Sequence, residues 1–343
     1  MTIRRALATL TAGVAIAALS AGCGVRIGSP PAPIPSPDAV EQLRQLLARN
    51  ATGVADVTSR VEAASANVAE GPGPADLFGL VSDIGSEQAG DLGGVWTPPP
   101  RPETDTHGPA DPAGSGDPTG PVDPTEPTEP TEPAVLSPEA AVAELTASLT
   151  ELADLAEQDL PEGWISTVGS MLVTRQAMVG AGRDLLGLDC GPVCPAPLAP
   201  VNLNDGATKD SIIAHLDAIG YLGEIAAAQA DGEEQEALAA RAADHRAAAR
   251  TMIAAAAGTD ADPRRPAYAI GADGVDTAIR LRQGELVAAW IAAAQESRGP
   301  ERAAALDQAW TAYLDTHGGA VVGGPWPGLL SGPGPSEPDR STP

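Results

Sequence analysis

The chain has 343 residues, a formal charge of −26 and one lysine, Lys209. That balance argues against nucleic acid and anionic lipid headgroups as partners, because both are bound through positive patches. Aromatic residues make up 3% of the chain, with a single phenylalanine, Phe78. A core built from so few rings is a small-residue helical core, and the fold class expected is all-α.

In chain order, residues 1–22 read as a secretory signal. Arg4 and Arg5 form a basic start, and Ala6 to Leu19 is an apolar run too short to span a bilayer. Ser20, Ala21 and Gly22 then precede Cys23, and Leu19-Ser20-Ala21-Gly22-Cys23 resembles the bacterial lipobox. The branched apolar residue stands one step earlier than is usual. The resemblance implies a covalent lipid on Cys23 and a palmitate-type anchor in the cell membrane, facing the cell envelope. Loss of Arg4 and Arg5 with the signal would take the charge from −26 to −28.

Residues 23–37 form a Pro-rich spacer. Ser36-Pro37-Asp38 with Glu41 opens a helical region, 38–95, with a cap, a first-turn proline and acids at the positive end of the dipole. Val40, Leu43, Leu47, Asn50, Val54, Val57, Val61, Ala64 and Val68 then alternate spacings of three and four. Packing on neighbouring helices of the same chain is the favoured reading of this stripe. Self-association through it, or contact with an envelope protein, stays open. A second short helix is expected over 75–88. Residues 96–134 carry Pro-Thr-Glu repeats and eight acids against Arg101 alone. Such a segment is disordered and polyproline-like, a spacer reaching on the order of 100 Å; threonines beside prolines make O-glycosylation the alternative reading.

The region 135–204 is a helical pair with a cysteine loop. Val142, Leu145, Leu149, Leu152 and Ala156 form one stripe, stopped by Pro161 and Gly163. Trp164, Val168, Met171, Met178 and Leu185 form a second, expected on one side of its helix. Cys190 and Cys194 then flank Gly191-Pro192-Val193. A thioredoxin-type pair has two intervening residues and zinc needs further ligands, so on the exported side these thiols are expected to form a structural disulfide.

Residues 205–320 divide into four helical segments, with short, long and short connections, which suits a four-helix bundle with one crossover. Ala214-His215-Leu216-Asp217-Ala218-Ile219-Gly220-Tyr221, Asp244-His245-Arg246-Ala247 and Pro266-Ala267-Tyr268-Ala269-Ile270 resemble a ferritin-like domain of unknown function from lipoproteins of high-G+C bacteria. The resemblance spans Asp205 to His317 and implies a ferritin-like bundle with additional N-terminal helices. Members carry a glutamate before the first histidine and an acid in the third helix; Ala214 and Gln283 stand there in this chain.

A dinuclear iron centre of the ferritin type needs two Glu-x-x-His motifs. The residues three before the histidines are Thr104, Ile212, Ala242 and Leu314, none of them acidic. His245 falls on an otherwise apolar stripe, Leu238, Ala242, Ala249 and Met252, with His215, Glu224 and Glu285 as candidate neighbours across the bundle. A core histidine is the simpler reading. The alternative is a divergent metal- or small-ligand-binding, redox-active protein using His215, His245 and Glu285. No nucleophile motif, phosphate loop or His-Glu-x-x-His accompanies them. The expectation is therefore a non-enzymatic binding or scaffold module with no cofactor beyond the lipid. Trp310 and Tyr313 read as core. Residues 321–343 form a tail, in which Trp326 is expected to dock back on the bundle.

Overall fold

A computed structural model describes residues 36–61, 74–97, 135–194, 201, 203, 206–255, 262–317 and 326–328. The signal segment, Cys23, most of the acidic linker and most of the tail lie outside the described residues, as do Ala64 and Val68 of the first stripe. Among the described residues the protein is all-helical, with eight α-helices and no strand. The helices are α1 (Ala39–Ser59), α2 (Pro74–Asp91), α3 (Pro138–Ala156), α4 (Trp164–Leu185), α5 (Gly206–Ala227), α6 (Gly232–Ala255), α7 (Val275–Glu296) and α8 (Gly299–His317), with a 3-10 turn at Gly191–Val193.

The apolar stripe of α1 is buried within the chain. Leu43, Leu47 and Val54 are covered, and Asn50, the one polar residue in the stripe, becomes a bonding centre. Its amide nitrogen donates to the Ser148 carbonyl and to Glu151 of α3, at 3.3 and 2.8 Å, while its oxygen accepts from Ser148 and Arg175. Arg44, on the same helix, is paired with Glu41 and reaches the carbonyls of Leu92 and Gly94 beyond α2. Helices α1 and α2 approach at Gly85, where an added Cβ would come within 2.9 Å of the Ala51 carbonyl oxygen.

Helix α3 starts where serine, proline and glutamate dictate. Ser137 is the cap, its hydroxyl accepting from the Ala140 amide at 3.2 Å, Pro138 opens the first turn and Glu139 faces the dipole. Helix α4 departs from its one-sided expectation: from Trp164 to Val179 every residue except Ser166 is buried, on all faces. Two of its buried polar residues find partners, the Thr174 hydroxyl donating to the Ser170 carbonyl at 2.9 Å and Arg175 donating to Asn50 of α1 at 3.1 Å. Arg175 is fully buried with no ion-pair partner among the described residues, and burial holds its pKa down at about 9, so it stays protonated at neutral pH.

In the C-terminal half, α5 packs on α6 and α7, α7 packs on α8, and α4 lies against α7 and α8. One contiguous core gathers Leu47, Phe78, Leu152, Met171, Leu216, Trp290 and Trp310 from both halves of the chain. Fully burying such a side chain contributes about 2 kcal/mol each. Cys190 and Cys194 are bonded as a disulfide. Their loop inserts Val193 into the core, where its carbonyl accepts from the Trp310 indole at 3.0 Å. Trp326 docks back as expected, packing on the core with its indole nitrogen donating to Asp91 at 2.7 Å.

Candidate functional site

Helix α6 is an edge helix, anchored by only four buried residues: Ala242, His245, Ala249 and Met252. The stripe periodicity thus places His245 on the inner face, where it is 1% exposed. Its Nδ1 lies 2.9 Å from the Arg241 carbonyl oxygen. A carbonyl can only accept, so Nδ1 is the donor of that contact and Nε2 is the nitrogen left out of it. That Nε2 is buried, has no hydrogen-bond partner, and faces Asp315 Oδ2 of α8 at 3.4 Å. Gln283, buried on α7, donates to the Asp315 carbonyl at 3.2 Å and fixes the backbone there. A cleft of about 670 Å³ between α6 and α8 is lined by Arg241, Asp244, His245, Thr311 and Asp315.

The other residues named from sequence do not join this centre. His215 of α5 lies 3.4 Å from Glu285 of α7, and that carboxylate is already bonded to Arg282 at 2.7 Å. Burial pushes the His215 pKa down; Glu285 opposes this and Arg282 adds to it. Glu224 is bonded to Arg246. The candidate grouping of His245 with His215, Glu224 and Glu285 does not form: two separate histidine–carboxylate pairs are seen, and the carboxylate facing His245 is Asp315. Among the described residues no three His, Cys, Asp or Glu side chains gather as a metal-binding group.

Asp315 lies in the last turn of α8, where an acid reads as solvent-facing. The one available signal was spacing: Gln308, Thr311 and Asp315 share a face by steps of three and four, and the first two are buried.

A second polar centre is built from residues of the three motif segments. Asp217, 1% exposed on α5, accepts from Arg246 of α6 at 3.0 Å and from the Tyr268 hydroxyl of the crossover at 2.9 Å. Tyr268 in turn accepts from the Arg265 amide and tilts against Tyr221, over which the Arg246 guanidinium also lies. The helices come this close because position 220 is glycine; a Cβ there would meet the Arg246 stem at 2.6 Å and the Ala242 carbonyl oxygen at 3.0 Å. Both oxygens of Asp217 are engaged, one by α6 and one by the crossover, so this centre latches the crossover to α5 and α6. No family model matches the chain, and no curated protein or solved structure shows significant similarity to it.

Proposed function

We propose that this chain is a bacterial lipoprotein, tethered through a lipid on Cys23 to the extracytoplasmic face of the cell membrane. It presents a helical, ferritin-like binding or scaffold module to the envelope. The observation that carries the reading is the Cys190–Cys194 disulfide. Protein disulfides persist in oxidising compartments, and the only remaining cysteine is the one in Leu19–Cys23. The ferritin-like part is supported by the connections of α5 to α8, short, long and short around a latched crossover. The acidic 96–134 segment fits a spacer between two anchored parts.

Expression of the wild type and Cys23→Ala in the presence of a labelled palmitate analogue tests the anchor. The wild type is expected in the membrane fraction carrying label. Cys23→Ala is expected unlabelled, accumulating as a precursor of higher mass. A labelled, fully processed, membrane-bound Cys23→Ala protein sinks the proposal.

A second reading, a divergent metal- or small-ligand-binding member of the same fold, is favoured by one specific observation: the bare, buried Nε2 of His245 opposite a carboxylate.

A further inference from the structure

We infer that His245 and Asp315 form a mononuclear site for a divalent first-row cation of the zinc type, at the cleft between α6 and α8. The inference deepens the second reading above and does not depend on the lipid anchor. A failed cation titration therefore leaves the anchored-module reading standing.

The first ground is the state of the imidazole. Its Nδ1–H is donated to the Arg241 carbonyl, which orients the ring and leaves Nε2 as the ligating nitrogen. A backbone carbonyl on the second nitrogen is the usual support of a metal-binding histidine and raises its basicity. The second ground is the distance. Nε2 and Asp315 Oδ2 are 3.4 Å apart, and the buried Nε2 makes no hydrogen bond among the described residues. Two ligands each about 2.1 Å from a tetrahedral ion are separated by about 3.4 Å. A cation held between them gives Nε2 the partner it lacks and engages the Asp315 carboxylate at the same time.

The third ground is position. Gln283 holds the Asp315 backbone from α7, so the two ligands sit on elements locked by packing. The Asp315 side chain is 29% exposed and borders the cleft, which has room for water to complete the coordination shell. Arg241 and Asp244 also line that cleft, and their opposite charges offset one another. One imidazole and one carboxylate suit zinc, cobalt, nickel or iron rather than magnesium or calcium, which take oxygen ligands. Two protein ligands make a weaker site than a closed structural zinc site, with open positions for an exogenous ligand.

The rival account is a plain histidinium–carboxylate ion pair, and cobalt distinguishes them. The full chain, in a Cys23→Ala background so that no free thiol competes, is stripped with chelator and titrated with Co2+ alone. The expected result is one Co2+ per chain with the strong visible absorption of tetrahedral cobalt, displaced by Zn2+. Asp315→Asn is expected to weaken binding at least about tenfold. His245→Gln abolishes it, and His215→Gln leaves it unchanged. Because His245 is buried, circular dichroism checks that variant's fold; the partly exposed Asp315 keeps the test decisive if His245→Gln unfolds. Absence of saturable Co2+ binding by the parent chain, equal binding by Asp315→Asn, or loss of binding in His215→Gln overturns the inference.

Discussion

Arg246 and His245 are neighbours on α6, yet they reach two polar centres of opposite character. One residue is a turn of about 100° around a helix, so successive side chains address different partners. Arg246 meets Asp217, each of whose oxygens accepts a hydrogen bond, one from Arg246 and one from Tyr268, although Arg246 Nε is left without a partner. His245 meets Asp315 across 3.4 Å with its Nε2 unbonded. Burial alone therefore does not separate structural polar residues from functional ones. The useful distinction is whether a buried group and the carboxylate it faces are joined by a hydrogen bond, as Arg246 and Asp217 are, or face each other unbonded, as His245 Nε2 and Asp315 do.

Removing the Asp217 centre gives the largest expected effect. Asp217→Ala strands Arg246 and Tyr268 at the α5–α6 seam and is expected to destabilise the protein by about 3 kcal/mol. That is the low end for breaking a buried pair, because the Arg246 side chain is 26% exposed and recovers water. Urea unfolding measures it; a change under about 1 kcal/mol would mean that the latch carries little. Tyr268→Phe keeps the ring contact with Tyr221 and removes only the hydroxyl, for an expected loss of about 1 kcal/mol. Hydrogen exchange should rise at residues 262–270 in that variant, while α8 is unaffected. Equal protection in both proteins would show that the crossover is held by packing and not by Asp217.

Much of this fold is legible in the sequence. The α3 start follows from Ser137, Pro138 and Glu139, and the inward place of His245 follows from its spacing to Ala242 and Ala249. Less legible is what requires two helices at once. Asn50 reads as a break in a stripe, but its partners are Ser148 and Arg175, about a hundred residues away or more. Helix α4 reads as one-sided because Thr167, Ser170, Thr174 and Arg175 are polar, yet all four are buried. Asp217 lies inside a recognisable motif without announcing that its carboxylate is buried. Asp315 is hidden for the opposite reason: its spacing to Gln308 and Thr311 joins it to a polar stripe that reads as solvated, and only the crossing of α6 and α8 brings it to His245.

His215 sharpens the comparison further, because it too lies 3.4 Å from a carboxylate. The distance by itself is thus not what marks His245. Glu285 is already engaged by Arg282, and it is about half exposed, so the His215 pair leaves no bare acceptor to fill. What His215 supplies instead is a pH dependence. Burial lowers its folded-state pKa below the unfolded value of about 6.5, so between those two values the unfolded chain binds more protons. Its contribution to stability is therefore fully present above about pH 6.5 and is lost as the pH falls through the folded pKa. Unfolding free energy should decline between about pH 7.5 and 5.5 in the wild type, and more shallowly in His215→Gln. An unchanged slope in that variant would place the proton uptake elsewhere, and a steeper one would reverse the sign argued here.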